Sequence, residues 1–300
     1  MLDYQLVEAF AVVLEEGGFA RAAERLFVTQ SAVSQRVKLL EDSLGKTLIS
    51  RGSPLKATAA GETLFRHYKQ IISMEEETLG GLGAKYSDKF NAAPHLQIAV
   101  NIDSLHVWFL EAVAPLVCKQ GFTLEVLTAG HAQTIDLLKA GAVYACISSQ
   151  RQPVDGCTVD ILGPLKYALV ASENFAGRYF ADGFSREAAC RAPVVDLDRQ
   201  DSMQRNVLFK AFGDPQLCPP IQYFPTADSY DRAIRAGLGY GLVPVVNIRK
   251  ELEEGSLVEL DKSLRIELSL YWHAWKHSAS AFKKFSADFV GMASRLLNSC

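Results

Sequence analysis

The sequence predicts an α + α/β chain: a small N-terminal winged helix-turn-helix, one linker helix, and an α/β region of two lobes. Three observations carry this. Short apolar helical patterns crowd the first 57 residues and end in a strand pair. One longer helical pattern then starts at Thr58. After Pro94, strands alternate with helices to the end of the chain.

The elements follow in order. Leu6, Phe10, Val13 and Leu14 mark one face of a first helix, which Gly17-Gly18 ends. Ala22, Ala23 and Leu26 mark a second, short helix. Val33, Val37 and Leu40 recur at i, i+4 and i+7 and mark a third, with Gly45 as its stop. "KTLISRGSPLKAT" then reads as two short strands around an Arg-Gly-Ser-Pro tip. From Thr58, Phe65, Tyr68, Ile72 and Leu79 form a heptad-like seam that Glu75 interrupts, so residues 58–93 are expected to hold a dimerising helix and a polar hinge. The alternative for this helix is packing on its own domain.

The second and third helices have the layout of a helix-turn-helix. Small Ala22 and Ala23 let the two cross closely, Val28 plugs the turn, and the Thr29 hydroxyl suits an N-cap. With the apolar positions inward, Gln30, Ser31, Ser34 and Gln35 face outward near the helix start, where they can read base edges in a major groove. Arg36 and Lys38 suit phosphate or structural roles, and Arg51, Ser53 and Lys56 on the hairpin suit a wing that grips the backbone. From Val28 to Lys56, basic Arg36, Lys38, Lys46, Arg51 and Lys56 face only acidic Glu41 and Asp42, although the whole chain carries −3. The basic surface is local, and the overall charge gives no nucleic-acid signal. A helical interaction module with a solvated polar face is the alternative.

In the α/β region, "HLQIAVNI" places Leu96, Ile98, Val100 and Ile102 on one strand face, with a helix from about Ser104 to Lys119. "TLEVL", "YACISS", "PVVDLD", "IQYF" and "YGLVP" read as strands, and "AQTIDLLKAG", "MQRNVLFKAFG" and "TADSYDRAIRAG" as helices between them. "IELSLYWHAW" gives a late strand and Ser280–Leu297 a closing helix. The rhythm predicts a largely parallel sheet with helices on both faces.

"AAERLFVTQSAVSQRVKLLEDSLGKTLISR", followed by "TAAG", resembles the N-terminal pattern of LysR-type transcriptional regulators. The resemblance implies a winged helix-turn-helix over 1–57, a dimerising linker over 58–93 and a periplasmic-binding-protein-like effector domain over 94–300. Within that domain, lobe I takes about 94–166 and 267–300, and lobe II about 167–266. It implies a small effector between the lobes that retunes promoter contacts. The partners it implies are double-stranded promoter DNA, the effector, further copies of the chain as a homodimer or homotetramer, and RNA polymerase. "NIDSLHVWFLEAVAPL", "YFADGFSREA", "APVVDLD" and "LYWH" resemble the branch that regulates arginine and lysine export. The effector expected there is lysine or arginine, and the target an amino-acid exporter gene. After the second effector strand, where acids would receive a cationic side chain, this chain reads "TAGHAQ".

Ligands of open α/β sheets sit beyond the carboxyl ends of strands, at helix starts. Here those places hold Asp103, Ser104 and Leu105, then Thr128, then Ser148, Ser149 and Gln150. In lobe II they hold Asp198, Asp201, Thr226 and Asp228. For each residue, capping or solvent exposure is the competing role. As a set they describe a polar cleft with anion-binding helix ends and several acids, which suits a zwitterion with a cationic tail.

Composition excludes some classes. The chain has 300 residues, 49% hydrophobic and 22% charged, as in ordinary globular proteins. Met1–Phe10 lacks the pattern of a signal peptide and no apolar run approaches the ~20 residues of a membrane span, so a cytoplasmic, nucleoid-associated protein without membrane contact is expected. Six cysteines, at 118, 146, 157, 190, 218 and 300, form no C-x-x-C pair and read as free thiols, with Cys190 and Cys218 as an alternative redox pair. His131, His273 and His277 invite a metal or catalytic reading. No H-E-x-x-H spacing or Cys–His ligand cluster supports it, and no cofactor or metal is expected. Gly237-x-Gly239-x-Gly241 precedes a strand's end instead of leading from a strand into a helix, so it is not a nucleotide loop. No G-x-S-x-G elbow exists. A metabolic enzyme or solute-binding protein with an N-terminal helical domain remains the alternative class.

Overall fold

A computed structural model describes residues 2–50, 52, 55–81, 95–131, 133–199, 202–276 and 278–299. The first helix, α1 (Tyr4–Glu15), starts where the Asp3 carboxylate accepts from the Gln5 N–H at 3.0 Å. It buries Val7, Phe10 and Val13, and Gly17, at φ 65°, supplies the left-handed turn that follows. Helix α2 (Phe19–Leu26) presents buried Ala22 and Ala23 to its neighbours. Helix α3 (Gln30–Leu44) is capped as expected, with Thr29 Oγ1 accepting from the Ala32 N–H at 3.2 Å and Gly45 closing it at φ 60°.

Two short antiparallel strands, β1 (Ile49–Ser50) and β2 (Lys56–Ala57), form the hairpin. Glu41 Oε1 ties it to α3 by accepting from the Leu48 N–H at 2.7 Å and the Ile49 N–H at 3.3 Å. One of the two acids in the basic stretch is thus spent on the wing's foundation. The tip residues Arg51 and Ser53 lie outside the described residues.

Helix α4 (Ala59–Gly81) begins at Thr58, whose Oγ1 accepts from the Gly61 N–H at 3.1 Å. Its expected seam is divided. Phe65 is buried in the N-terminal core and Tyr68 packs against the same core. Burial, with Glu8 and Glu15 nearby, pushes the Tyr68 hydroxyl up to about 12. Ile72 faces a crevice between the N-terminal unit and the α/β region, and the side chain of Leu79 and the hinge at 82–93 lie outside the described residues. The first two seam positions therefore serve the chain's own domain, because α1 needs an apolar partner on that side.

The α/β region opens with β3 (His95–Asn101), α5 (Ile102–Ser104), a π-helical turn (Leu105–Phe109) and α6 (Leu110–Gln120), the last three being one continuous helix. Ile102 therefore leaves the strand face assigned to it and starts a helix. Then come β4 (Thr123–Ala129), α7 (Thr134–Lys139), β5 (Ala145–Ser148) and β6 (Cys157–Ser172). Beyond β6 lie α8 (Glu173–Tyr179), α9 (Arg186–Arg191), β7 (Val194–Asp196), α10 (Met203–Phe212) and β8 (Ile221–Tyr223). They are followed by α11 (Ala227–Arg235), β9 (Gly241–Pro244), α12 (Val245–Glu254) and β10 (Leu257–Glu259). Strand β11 (Ile266–Trp275) and α13 (Ser280–Ser299) complete the chain.

The main sheet has the order β10-β6-β11-β5-β3-β4, with β9 also on β6. It is mixed, not largely parallel: β3 runs parallel to β4 and β5, but β11 is antiparallel to both β5 and β6. The reason is that the chain leaves the first lobe along β6 and returns along β11, with Tyr167 opposite Ile266 and Cys157 opposite Trp275. Gly163 lies at a register shift between these strands, at φ 140°, where a Cβ would come within 2.9 Å of Leu297 Cβ on α13. An aromatic core sits below: Trp272 and Phe289 rings are 4.6 Å apart and Phe109 lies 5.6 Å from Phe289. Each such buried side chain contributes roughly 1.5–3 kcal/mol.

Gly239 and Gly241 have structural roles. A Cβ at Gly239 would lie 2.8 Å from the Pro193 carbonyl oxygen, and one at Gly241 would collide with the Tyr230 hydroxyl. The described cysteines are free, with Cys190 and Cys218 exposed. Among the described residues, no helix is long and apolar enough to cross a membrane.

Candidate nucleic-acid interface and interlobe cleft

Helix α3 buries Val33, Val37 and Leu40 against α1 and α2, so rotation alone turns Gln30, Ser31, Ser34, Gln35 and Lys38 outward. All five are exposed, whereas Arg36 is half-buried toward the domain. The Thr29 and Ser31 hydroxyls are 3.0 Å apart, which holds the first turn in one rotamer arrangement. Lys56 is exposed on β2, on the wing. This surface offers amide and hydroxyl groups for base edges, with positive charge at its margins.

The second site lies between the lobes. A cavity of about 350 Å³ is lined by Asp103, His131, Gln133, Asp198, Ser202 and Met203, with Ile102, Ala129, Gly130 and Leu197. A smaller space of about 20 Å³ adjoins it, sharing Asp103, Leu197 and Met203, and reaches His106, Tyr167, Tyr230 and Asp231. Its walls thus come from the ends of β3 and β4, from β6, and from α10 and α11 across the cleft.

Asp103 is the centre of a hydrogen-bond network. Its Oδ2 accepts from the Tyr167 hydroxyl at 2.6 Å and faces His131 Nε2 at 3.1 Å. The Asn101 amide nitrogen lies 2.6 Å from His131 Nδ1, which fits a ring with its proton on Nε2. Burial alone would raise the Asp103 carboxyl, but the hydrogen bonds from His131 and Tyr167 and the neighbouring histidines hold it below the usual carboxylate range. Among the described residues, Asp103 Oδ1 accepts no hydrogen bond. Across the cleft, Asp231 Oδ2 stands 3.4 Å from His106 Nε2 and 3.5 Å from an Arg235 guanidinium nitrogen. Burial pushes the Asp231 carboxyl up against the opposing pull of Arg235 and His106. Three carboxylates line these spaces, and no Lys or Arg does among the described residues.

The sequence-derived positions divide accordingly. Asp103 and Asp198 line the cleft. Ser104 is fully buried at the helix start with an unpartnered Oγ, and Leu105 packs into the core. Thr128 is exposed at the end of edge strand β4 and lines neither space. Ser148 is buried, its hydroxyl 3.4 Å from the His131 carbonyl, and it accepts from the Gln150 N–H; Ser149 is half-buried beside it. The Gln150 side chain donates to the Gln152 carbonyl. Thr226 forms a capping box with Ser229 at α11, and Asp228 pairs with Arg232 at 3.5 Å on the surface. Asp201 lies outside the described residues. The cleft residues that sequence reasoning left out of the site are His131, Gln133, Tyr167, His106 and Asp231. His131 was visible as a departure from an acidic pattern and as one of three histidines weighed for a metal, but not as a hydrogen-bond partner of Asp103. Tyr167 sits on β6, a strand the sequence reading did not identify, where the run Tyr167–Ser172 is continuously buried and gives no alternation to read. Asp231 carried one signal, a charged residue on the apolar stripe of Tyr230, Ala233 and Ile234.

His273 and His277 stand four apart, but His273 Nε2 is 2.8 Å from the Gln150 carbonyl oxygen, to which it donates. His277 lies outside the described residues. Among the described residues no cluster of His, Cys, Asp and Glu has the arrangement of a metal site.

Comparison with known proteins places both sites in one context. Residues 4–62 match the family model for the LysR-family bacterial regulatory helix-turn-helix protein. Residues 95–290 match the LysR substrate binding domain. The HTH-type transcriptional regulator ArgP of Aeromonas salmonicida is 36% identical, over 99% of this chain and 98% of that one. The crystal structure of ArgP from Mycobacterium tuberculosis superposes with a TM-score of 0.85 at 35% identity, covering 98% of each chain. Full-length LysG from Corynebacterium glutamicum, solved with the effector Arg bound, gives a TM-score of 0.79 at 29% identity, over 98% of this chain and 99% of that one.

Proposed function

The chain belongs to the LysR family of DNA-binding transcriptional regulators, and from that premise we propose that its effector is a basic amino acid, arginine or lysine, and its target an amino-acid exporter gene. The observation that carries the effector reading is the interlobe cleft itself: three carboxylates, Asp103, Asp198 and Asp231, and no lining Lys or Arg among the described residues. A cationic side chain entering there loses its water shell to a negative wall in a partly excluded medium, where opposite charges attract more strongly than in bulk. The ligand's carboxylate has its own place at the start of the helix that follows β3. Asn101 makes no side-chain cap there, so the first N–H groups stay available to an anion. Arginine bound in the similar LysG supports the same class. The export target rests on the resemblance of the "NIDSLHVWFLEAVAPL" and "YFADGFSREA" stretches to the regulators of arginine and lysine export.

The mechanism is a population shift. Lobes I (about 94–166 and 267–300) and II (about 167–266) close on the effector, and the linker at 58–93 carries that change to the domain at 1–57. Helix α3 enters the major groove with Gln30, Ser31, Ser34 and Gln35 toward bases. Thr29, Arg36, Lys38, Arg51, Ser53 and Lys56 hold its first turn, its seating and the phosphate backbone. Two or four copies of the chain set the spacing of half-sites on cytoplasmic DNA and present the complex to RNA polymerase. The effector changes that spacing only to the extent that it binds one closure more tightly than the other.

The test is calorimetric titration of the full chain with arginine, lysine and a panel of uncharged amino acids, followed by mobility-shift assays on DNA upstream of neighbouring transporter genes. Arginine or lysine is expected to bind in preference to every uncharged amino acid and to alter the shift. Heat from an uncharged metabolite alone removes the basic-amino-acid reading and leaves the family assignment standing.

A further inference from the structure

Phe27 is 91% exposed, the most exposed large apolar side chain among the described residues. It occupies the turn between α2 and α3, two residues before the Thr29 cap. Its backbone is left-handed, at φ 54° and ψ 40°, and it is the single non-glycine with positive φ among the described residues. Both features are unfavourable for a phenylalanine. A left-handed residue closing a helix is ordinarily glycine or asparagine, because a Cβ there crowds the following carbonyl. An unpartnered ring in water forgoes its burial energy.

Helix capping accounts for the backbone and leaves the side chain unexplained. The Phe27 N–H closes α2 on the Glu24 carbonyl at 3.2 Å, which any non-proline residue can do. The next residue, Val28, already packs against the N-terminal core. The ring therefore contributes nothing visible to the fold, while its turn leads directly into the exposed first turn of α3, where Gln30 and Ser31 stand. A left-handed non-glycine backbone of this kind is the sort of outlier from which a functional role is inferred. The partner argued for this surface is duplex DNA.

We propose that Phe27 is an apolar DNA contact at the edge of the sequence read by α3, closing on a deoxyribose face or a thymine 5-methyl group. The inference rests on α3 being the reading helix. It assigns the turn an affinity role that needs neither charge nor hydrogen bonds. An apolar contact with a thymine methyl is an established form of base recognition. Such a contact displaces no counterion, so its loss leaves the salt dependence of binding unchanged.

The experiment compares the wild-type chain with Phe27→Asn, Phe27→Leu and Gln35→Ala on a fluorescent duplex that the wild type selects from a random-sequence library. Asparagine tolerates the left-handed backbone, so Phe27→Asn is expected to keep or raise the thermal midpoint. It is expected to bind the duplex about tenfold more weakly, the size of one contact at the base level. The slope of log affinity against log salt stays as in the wild type, and Phe27→Leu falls between the two. Replacing thymidine by deoxyuridine at the flanking positions distinguishes the sources. A methyl contact predicts loss for the wild type and none for Phe27→Asn, whereas a deoxyribose contact predicts no loss for either. Affinity of Phe27→Asn within twofold of the wild type overturns the proposal, as does a loss that appears only with a lowered thermal midpoint. If Gln35→Ala loses sequence preference while the Phe27 variants bind normally, the Phe27 inference fails alone. If neither matters, or the wild type selects no sequence, the α3 reading fails and this one with it.

Discussion

Asp103→Asn tests the cleft at its centre. The amide keeps the shape of the side chain and removes its charge. In the wild type one carboxylate oxygen accepts from Tyr167 at 2.6 Å and faces His131 Nε2 at 3.1 Å. Hydrogen bonds to a charged group contribute ~1.5–3 kcal/mol, and neutral ones ~0.5–1.5 kcal/mol. Two such conversions cost about 1 kcal/mol each, and relief from burying a charge returns part of that, leaving a net loss of roughly 1–2 kcal/mol at neutral pH. The pH dependence follows from the direction of the shift. The Asp103 carboxyl lies below its ordinary value in the fold. Its ionised form therefore contributes stability that is present above the unfolded value of ~3.9 and is lost as the pH falls through the folded value. Urea denaturation is expected to show the variant less stable at neutral pH, with the gap closing as the pH is taken below ~4. For the effector, removing one charge-assisted contact of ~1.5–3 kcal/mol lowers arginine affinity by about 10- to 100-fold in a calorimetric titration. Arginine binding within twofold of the wild type would refute the placement of Asp103 in the cation site. A stability gap unchanged through the acid range would refute the network as its cause.

Other substitutions probe the remaining claims. Gln35→Ala should weaken a selected site much more than random DNA, by about 1–3 kcal/mol of discrimination; equal loss on both in a competition assay would remove base reading from this residue. Lys56→Ala should weaken all sequences alike and reduce the salt slope by about one, and an unchanged slope would take Lys56 off the phosphate list. Gly239→Ala forces a Cβ to within 2.8 Å of the Pro193 carbonyl oxygen and of Val195 Cγ2. It should destabilise the chain by roughly 1–3 kcal/mol, and a wild-type thermal midpoint would show that the backbone moves freely there.

The exposed face of α3 proposed to read DNA was legible because its determinants are local. Period and caps select α3, and the helix geometry then turns Gln30, Ser34 and Gln35 outward. No distant residue is needed to place them. Even so, one local feature stayed hidden. The sequence reading gave Phe27 no role, and only its backbone angles and exposure set it apart. The linker shows the opposite limit. A heptad-like spacing states which residues share a face, but the partner of that face is a tertiary matter, and Phe65 and Tyr68 went to the N-terminal core.

What the amino-acid order determined by itself is the membership of one family, the short helices and hairpin of the first 57 residues and much of the strand–helix alternation after Pro94, since each depends on patterns within a few tens of residues; the longest strand, β6, was not among them. The tertiary structure alone decided the cleft. Asp103 meets Tyr167 across a separation of 64 residues and His131 across 28, and Asp231 faces them from the other lobe. Those neighbours exist because β6 and β11 cross between the lobes and fold distant strand ends together. A charge becomes a binding group only once its neighbours have set its solvation and its hydrogen bonds.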